Sequence, residues 1–282
     1  MTKITVKDIQ NMKREEEKIA ALTAYDYTFA RLMDKAGVDL ILIGDSCANV
    51  IAGEKNTIPV TMEEIIYHSR AVVRGTNRSF VVADMPFMSY QTSCEEAVKN
   101  AGRFLKEADM DCVKLEGGRR VAEQIKAITE AGIVVCGHIG LTPQSSGQLG
   151  GFKAQGLHVD SARELIKDAL AIEEAGARML LLEAVPPELT EFITEKLTIP
   201  VYSIGAGLPC DGQLLICGDM LGMFQAFTPK FVKKYANVAE VETKAFEEYV
   251  KDVKEGKFPE DDHVYHIKDS KEDFAELFKE FE

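Results

Sequence analysis

The chain contains no tryptophan, only nine prolines in 282 residues, and no stretch of 18 uninterrupted apolar residues. The last absence excludes an apolar helix long enough to span a bilayer. The N-terminal segment MTKITVKDIQNMKREEEK has no apolar signal core, so a cytoplasmic location is expected. The six cysteines, Cys47, Cys94, Cys112, Cys136, Cys210 and Cys217, form no CxxC pair. Several lie in or beside apolar runs, which reads as buried free thiols in a reducing cytosol. Basic residues are also scarce, 33 against 46 acids, for a net charge of −13. Such a field repels nucleic acid and anionic membrane surfaces, so neither is expected as a partner. No Pro/Ser-rich or low-complexity run divides the sequence, so a single domain is expected over 1–282. With 46% hydrophobic and 28% charged residues, the chain has the make-up of a folded globular protein.

One pattern recurs along the chain: a short apolar run, a turn, then an amphipathic segment. The runs are IAALTAY (19–25), LILIGDS (40–46), FVVADMP (80–86), CVKLEGG (112–118), IVVCGHI (133–139), MLLLEAV (179–185) and VYSIGAG (201–207), with MFQAF (223–227) as a weaker eighth. All are too short for helices and several are rich in Val and Ile, which reads as strand. The segments between them have helical period. Thr61 and Glu64 form a capping box before one of them, and three end in Ala-Gly, the glycine expected at a helix C-terminus. Alternating strands and helices pair in parallel through right-handed crossovers. Seven or eight such units predict a (β/α)8 TIM barrel, with an N-terminal helix outside it and a C-terminal helical extension. An open doubly wound sheet is the alternative, but it would usually carry a glycine-rich turn after its first strand, and TAYDYTF has no glycine.

Barrels carry their chemistry at the C-terminal ends of strands. There this sequence places Asp45, Asp84, Lys114 with Glu116, His138 and Glu183, each after an apolar run. Singly, Asp45 or Asp84 could cap a turn, Lys114 and Glu116 could form a structural ion pair, and His138 could be a hydrogen-bonded core imidazole. Five strands ending alike is the stronger signal, because an unpartnered buried carboxylate costs several kcal/mol. Lys114 and Glu116 are two apart and so share a strand face. Two carboxylates, Asp45 and Asp84, with a third nearby and no His or Cys expected beside them suit a hard, oxygen-preferring cation, Mg2+ being the natural choice. Lys114 could then neutralise a substrate carboxylate or a developing oxyanion.

These residues, within TAYDY (23–27), GDS (44–46), ADMPFMSY (83–90), VKLEGG (113–118), CGHIGLTPQS (136–145), GGFKAQG (150–156), IGAG (204–207) and PKFVKKY (229–235), resemble the ketopantoate hydroxymethyltransferase family from about residue 3 to 266. The family is part of the phosphoenolpyruvate mutase and isocitrate lyase barrel superfamily. The resemblance implies transfer of a one-carbon unit from 5,10-methylenetetrahydrofolate to 3-methyl-2-oxobutanoate, giving 2-dehydropantoate on the way to pantothenate and coenzyme A. It implies Asp45 and Asp84 as direct magnesium ligands and Glu116 as a third metal carboxylate acting through water. Asp45, Ser46, Asp84 and Lys114 are implied to contact substrate, Glu183 to accept a proton and His138 to assist. It also implies a cytoplasmic homodecamer.

The chain departs from the family pattern at Cys47-Ala48-Asn49, where Leu-Gly-Met is usual, at Tyr202-Ser203, and at Gly218-Asp219. These changes bear on pocket shape more than on reaction type. The competing readings are another carbon–carbon lyase or transferase of the superfamily acting on a different 2-oxo acid, and a non-catalytic paralogue.

Overall fold

A computed structural model describes residues 2–282. The chain divides into two compact units, residues 1–236 and 237–282.

In the first unit, eight parallel strands close into a barrel in sequence order, with β8 pairing back on β1. Helix α1 (Val6–Arg14) precedes β1 (Ile19–Thr23). Then come α2 (Tyr27–Ala36), β2 (Leu40–Ile43), the short α3 (Cys47–Val50), α4 (Met62–Gly75), β3 (Phe80–Asp84), α5 (Cys94–Ala108), β4 (Cys112–Glu116) and α6 (Ala122–Glu130). The second half continues with β5 (Val135–Gly140), the one-turn α7 (Ser146–Leu149), α8 (Val159–Glu174), β6 (Met179–Glu183), α9 (Pro187–Lys196), β7 (Val201–Ile204), β8 (Gly212–Leu215) and α10 (Cys217–Met220). The Thr61–Glu64 capping box forms as expected. Gly37, Gly132 and Gly176 all take positive φ after their helices, which an L-residue would adopt only with strain.

The eighth strand corrects the sequence reading. It lies at Gly212–Leu215, and residues 223–227 form no strand. Gly212 and Gln213 break the apolar run that marked the other seven. Close approach explains the glycine: a Cβ at 212 would sit 2.5 Å from the Ile19 carbonyl oxygen.

Strand alternation sorts the core into two layers. Outward-facing Ile41, Ile43, Val81, Val113, Leu115, Leu180 and Leu182 pack beneath the helices. Inward-facing Leu40, Leu42, Phe80, Val82, Cys112, Cys136, Leu181 and Tyr202 fill the lumen. Ile9 and Met12 of α1 join the lumen cluster, so this helix closes one end of the barrel. Each such apolar side chain contributes about 1.5–3 kcal/mol by leaving water. Cys47 and Cys136 are buried among these groups, and burial pushes both thiols up to about 12.

Carboxylates at the N-terminal ends of strands do structural work. Asp39, Asp111 and Asp211 accept the backbone N–H of Ala20, Val81 and Val201 on the preceding strand, at 3.0, 2.8 and 2.7 Å. Asp39 is also paired with Arg78, Asp111 with Lys3 and Asp211 with Lys13. These acids satisfy backbone donors that the ladder leaves open.

The second unit holds α11 (Val238–Lys254), a turn at Asp261–His263, and α12 (Lys271–Lys279), which is N-capped by Ser270. No residue of α11 or α12 is buried. Among the described residues, no helix is long and apolar enough to cross a membrane.

Candidate active site

The polar residues of the lumen gather at the C-terminal ends of the strands, above the apolar filling. Registers Asp84↔Lys114 and Glu116↔His138 set them side by side on β3, β4 and β5. Glu183 ends β6, and Asp45 and Ser46 follow β2 directly. All seven residues singled out in the sequence therefore lie at one end of the barrel.

Lys114 is fully buried, with its ammonium 2.7 Å from Asp84 Oδ1, 3.3 Å from Glu116 Oε1 and 3.1 Å from His138 Nδ1. Burial opposes its charge, but Asp84, Glu116 and Asp45 outweigh that and raise its pKa well above the ordinary value. His138 lies between two carboxylates, Nδ1 at 3.3 Å from Glu116 Oε1 and Nε2 at 3.2 Å from Glu183 Oε2. Burial and the Lys114 ammonium disfavour a charged imidazole. Glu116 and Glu183 overcome both, and the pKa is pushed up to about 8. The result is a run of charge contacts from Asp84 through Lys114, Glu116 and His138 to Glu183, the more exposed end, where His138 Nε2 makes no aligned hydrogen bond.

Asp45, Asp84 and Glu116 each offer a carboxylate oxygen within 4.8 Å of the others, and all three are buried. Their charges conflict. Burial and the neighbouring Asp84 and Glu116 push the Asp45 carboxyl well above its usual range. Glu116 instead is lowered to about 2, because Lys114, His138 and the Gln144 backbone N–H outweigh burial. Asp84 Oδ1 lies close to the Lys114 ammonium yet receives no aligned hydrogen bond. Three converging carboxylates, one of them under-satisfied, fit a hard divalent cation, which would reverse the repulsion that raises Asp45.

Two of these acids also accept backbone N–H groups, but from loops beyond the strands. Asp84 Oδ2 accepts the Asp45 backbone N–H at 3.1 Å, which ties the two residues together. Ser46 Oγ lies 2.8 Å from the hydroxyl of buried Tyr25.

The profile of one protein family, ketopantoate hydroxymethyltransferase, matches residues 3–261. The chain is 65% identical over 279 residues to the 3-methyl-2-oxobutanoate hydroxymethyltransferase of Alkaliphilus metalliredigens (strain QYMF), covering 99% of each. The chain belongs to the ketopantoate hydroxymethyltransferase family. A relative of the same name from Syntrophus aciditrophicus (strain SB) is 54% identical over 263 residues, covering 93% of this chain and 97% of the relative. Among solved structures, phosphonopyruvate hydrolase complexed with oxalate and Mg++ matches with a TM-score of 0.61 at 13% identity, covering 99% of this chain and 96% of that one. A 2,3-dimethylmalate lyase of the PEP mutase/isocitrate lyase superfamily matches at 0.60 and 12% identity, covering 93% and 92%. At those identities the likeness is one of fold.

As a ketopantoate hydroxymethyltransferase family member the chain is an enzyme, a hydroxymethyltransferase. Its departures from the family pattern have clear places in the fold. Cys47 and Ala48 are buried in α3, and Ala48 takes no positive φ, so the alanine is unstrained. The Asn49 amide donates to the Glu54 carbonyl at 2.9 Å and so closes its own loop. Tyr202 fills the lumen, its hydroxyl 3.2 Å from Cys136 Sγ. Two residues at the site were not singled out in the sequence, Tyr90 and Gln144, although both fall inside quoted strings, ADMPFMSY and CGHIGLTPQS. Both are buried against the acidic cluster.

Proposed function

We propose that this hydroxymethyltransferase acts on 3-methyl-2-oxobutanoate, using 5,10-methylenetetrahydrofolate as one-carbon donor and giving 2-dehydropantoate through an enolate, with Mg2+ held by Asp45, Asp84 and Glu116. The substrate follows the name shared by the relatives. One observation carries the chemistry. Three buried carboxylates converge beside a single lysine, and a fourth carboxylate, Glu183, stands on another strand of the same lumen. The oxalate and Mg++ bound by phosphonopyruvate hydrolase are in keeping with this reading, oxalate being a small chelating dicarboxylate.

The C3 hydrogen beside a ketone is weakly acidic. Held there, a divalent cation would supply Lewis-acid stabilisation of the charge that develops on the keto oxygen. Lys114 would add a fixed positive charge beside the cluster, in a buried lumen where it counts for most. Ser46, positioned by Tyr25, contacts the bound acid together with Asp45 and Asp84. Glu183 accepts the C3 proton. His138 stands between the Glu183 carboxylate and Glu116, a charge contact of 3.2 Å on one side and 3.3 Å on the other, and so links base and acidic cluster electrostatically. The C3 carbon then forms a bond to the one-carbon unit, tetrahydrofolate leaves, and one water is consumed overall. The resemblance extends the proposal to pantothenate synthesis by a cytoplasmic homodecamer.

The test is product formation from 3-methyl-2-oxobutanoate, Mg2+ and methylenetetrahydrofolate. 2-Dehydropantoate should accumulate only with all three. Turnover of the keto acid without folate would replace this reading with a lyase of another kind, and no turnover by folded protein would overturn it.

A further inference from the structure

We infer that Gln144 is the positioning residue of the acidic cluster and that Tyr90 fixes its amide, the two together setting Asp45 and Glu116 in the arrangement that holds a divalent cation. The inference rests on the metal reading above.

Gln144 is buried, and a buried amide is costly unless its polar atoms are matched. Here they are. Nε2 donates to Asp45 Oδ2 and to the Met85 carbonyl, both at 3.0 Å. Oε1 accepts from the Tyr90 hydroxyl at 2.7 Å and from Gln91 Nε2 at 3.4 Å. The backbone N–H of the same residue donates to Glu116 Oε2 at 3.0 Å. A single residue therefore grips one carboxylate of the cluster with its side chain and another with its main chain. Asp45 is 99 positions away in sequence and Glu116 is 28.

The sense of the amide is determined. The Tyr90 oxygen accepts the Glu116 N–H at 3.1 Å, and of the two acceptors in reach of its hydrogen, Gln144 Oε1 at 2.7 Å is closer than the Glu116 carbonyl at 3.2 Å. Rotating the amide by half a turn would set Oε1 against the Asp45 carboxylate and the Met85 carbonyl, two acceptors facing a third. The donor chain thus runs from the Glu116 backbone through Tyr90 and Gln144 to Asp45 and back through the Gln144 N–H to the Glu116 side chain. A closed loop of this kind fixes the orientation of the two carboxyl groups relative to each other.

The backbone delivers Gln144 to this place. Gly140 at the end of β5 has φ 95°, and a Cβ there would sit 2.2 Å from the Glu183 carbonyl oxygen. Only glycine permits that bend. Pro143 then opens the single turn Pro143–Ser145 with its φ already set. Gln144 sits in the middle of that turn, above the lumen.

Outer partners of metal carboxylates typically govern metal affinity by tenfold to a hundredfold. The test uses Mn2+ alone, with free Mn2+ read by electron paramagnetic resonance, on wild type, Gln144→Met and Tyr90→Phe. Gln144→Met should bind Mn2+ roughly ten- to a hundredfold more weakly. Tyr90→Phe, which removes one oxygen in place, should weaken it by a smaller factor and decides the matter if Gln144→Met does not fold. In turnover, saturating metal should restore kcat in Gln144→Met, because the residue acts through the cation site and not on the reacting atoms. Mn2+ affinity within twofold of wild type in both variants, or a kcat deficit that metal does not restore, would overturn the inference alone. Wild-type protein that binds no Mn2+, or Asp84→Asn that binds it fully, would overturn the metal reading and this inference together.

Discussion

Lys114→Met removes the lysine enclosed by the acidic cluster while keeping most of the stem's volume. The ammonium lies 2.7 Å from Asp84 and 3.3 Å from Glu116. At an effective dielectric near 20 these separations correspond to gross attractions of about 6 and about 5 kcal/mol. Desolvating three charged groups offsets several kcal/mol for each. The decisive quantity is what remains when one partner goes: Asp84 and Asp45 without the lysine, and only His138 left beside Glu116, at a cost of about 3–5 kcal/mol. Urea unfolding in EDTA at neutral pH should show that loss, and the thermal midpoint should fall by roughly 6–20 °C. Excess Mg2+ should recover part of it, since a cation bound only by the folded state stabilises it by mass action. A stability change within about 0.5 kcal/mol, the range of ordinary surface substitutions, would refute the view that Lys114 balances the cluster.

Asp45→Asn and Asp84→Asn should each lose most of the affinity for Mg2+ while the protein stays folded, as followed by titration calorimetry and circular dichroism. Asp219 is buried in α10, and burial pushes its carboxyl up to about 6, with Lys234 opposing. A raised pKa favours folding at low pH and is a liability above it. Asp219→Asn should therefore gain stability over wild type as pH rises through about 6, by at most about 3 kcal/mol at neutral pH, and show little difference at pH 4 in pH-dependent denaturation. Because the Asn49 amide is engaged by Glu54, 3-methyl-2-oxobutanoate should remain the best acceptor in a kcat/KM panel of 2-oxo acids. A polar acid favoured tenfold, about 1.4 kcal/mol, would contradict that.

Seven strands were legible because each is an apolar run cut off by a charged or glycine-marked turn. β8 was not, because Gly212 serves a close approach to Ile19 and Gln213 faces outward, leaving only Leu214 and Leu215 to signal a strand. The charged residues at the strand tops stood out for the same reason: four of the five marked strands end an apolar run on an isolated acid or histidine. Asp39, Asp111 and Asp211 show what limits that signal. They are the same residue type at the opposite end, and only the barrel's direction separates capping from chemistry. Gln144 and Tyr90 were illegible singly, since a glutamine in a turn and a tyrosine after a strand are ordinary. Their importance arises from a tertiary meeting with Asp45 and Glu116 that no local pattern encodes.

In the proposed reaction Glu183 removes the C3 proton of a keto acid held at the Asp45, Asp84 and Glu116 cluster. Exchange of that proton into heavy water, followed by nuclear magnetic resonance with 3-methyl-2-oxobutanoate and Mg2+ but no folate, isolates this step from carbon transfer. Wild type should exchange it. Glu183→Gln should still bind the keto acid but exchange it roughly a hundredfold or more slowly, the scale of general-base catalysis. Near-normal exchange by Glu183→Gln would contradict the assignment and make His138, 3.2 Å from Glu183, the residue to test next.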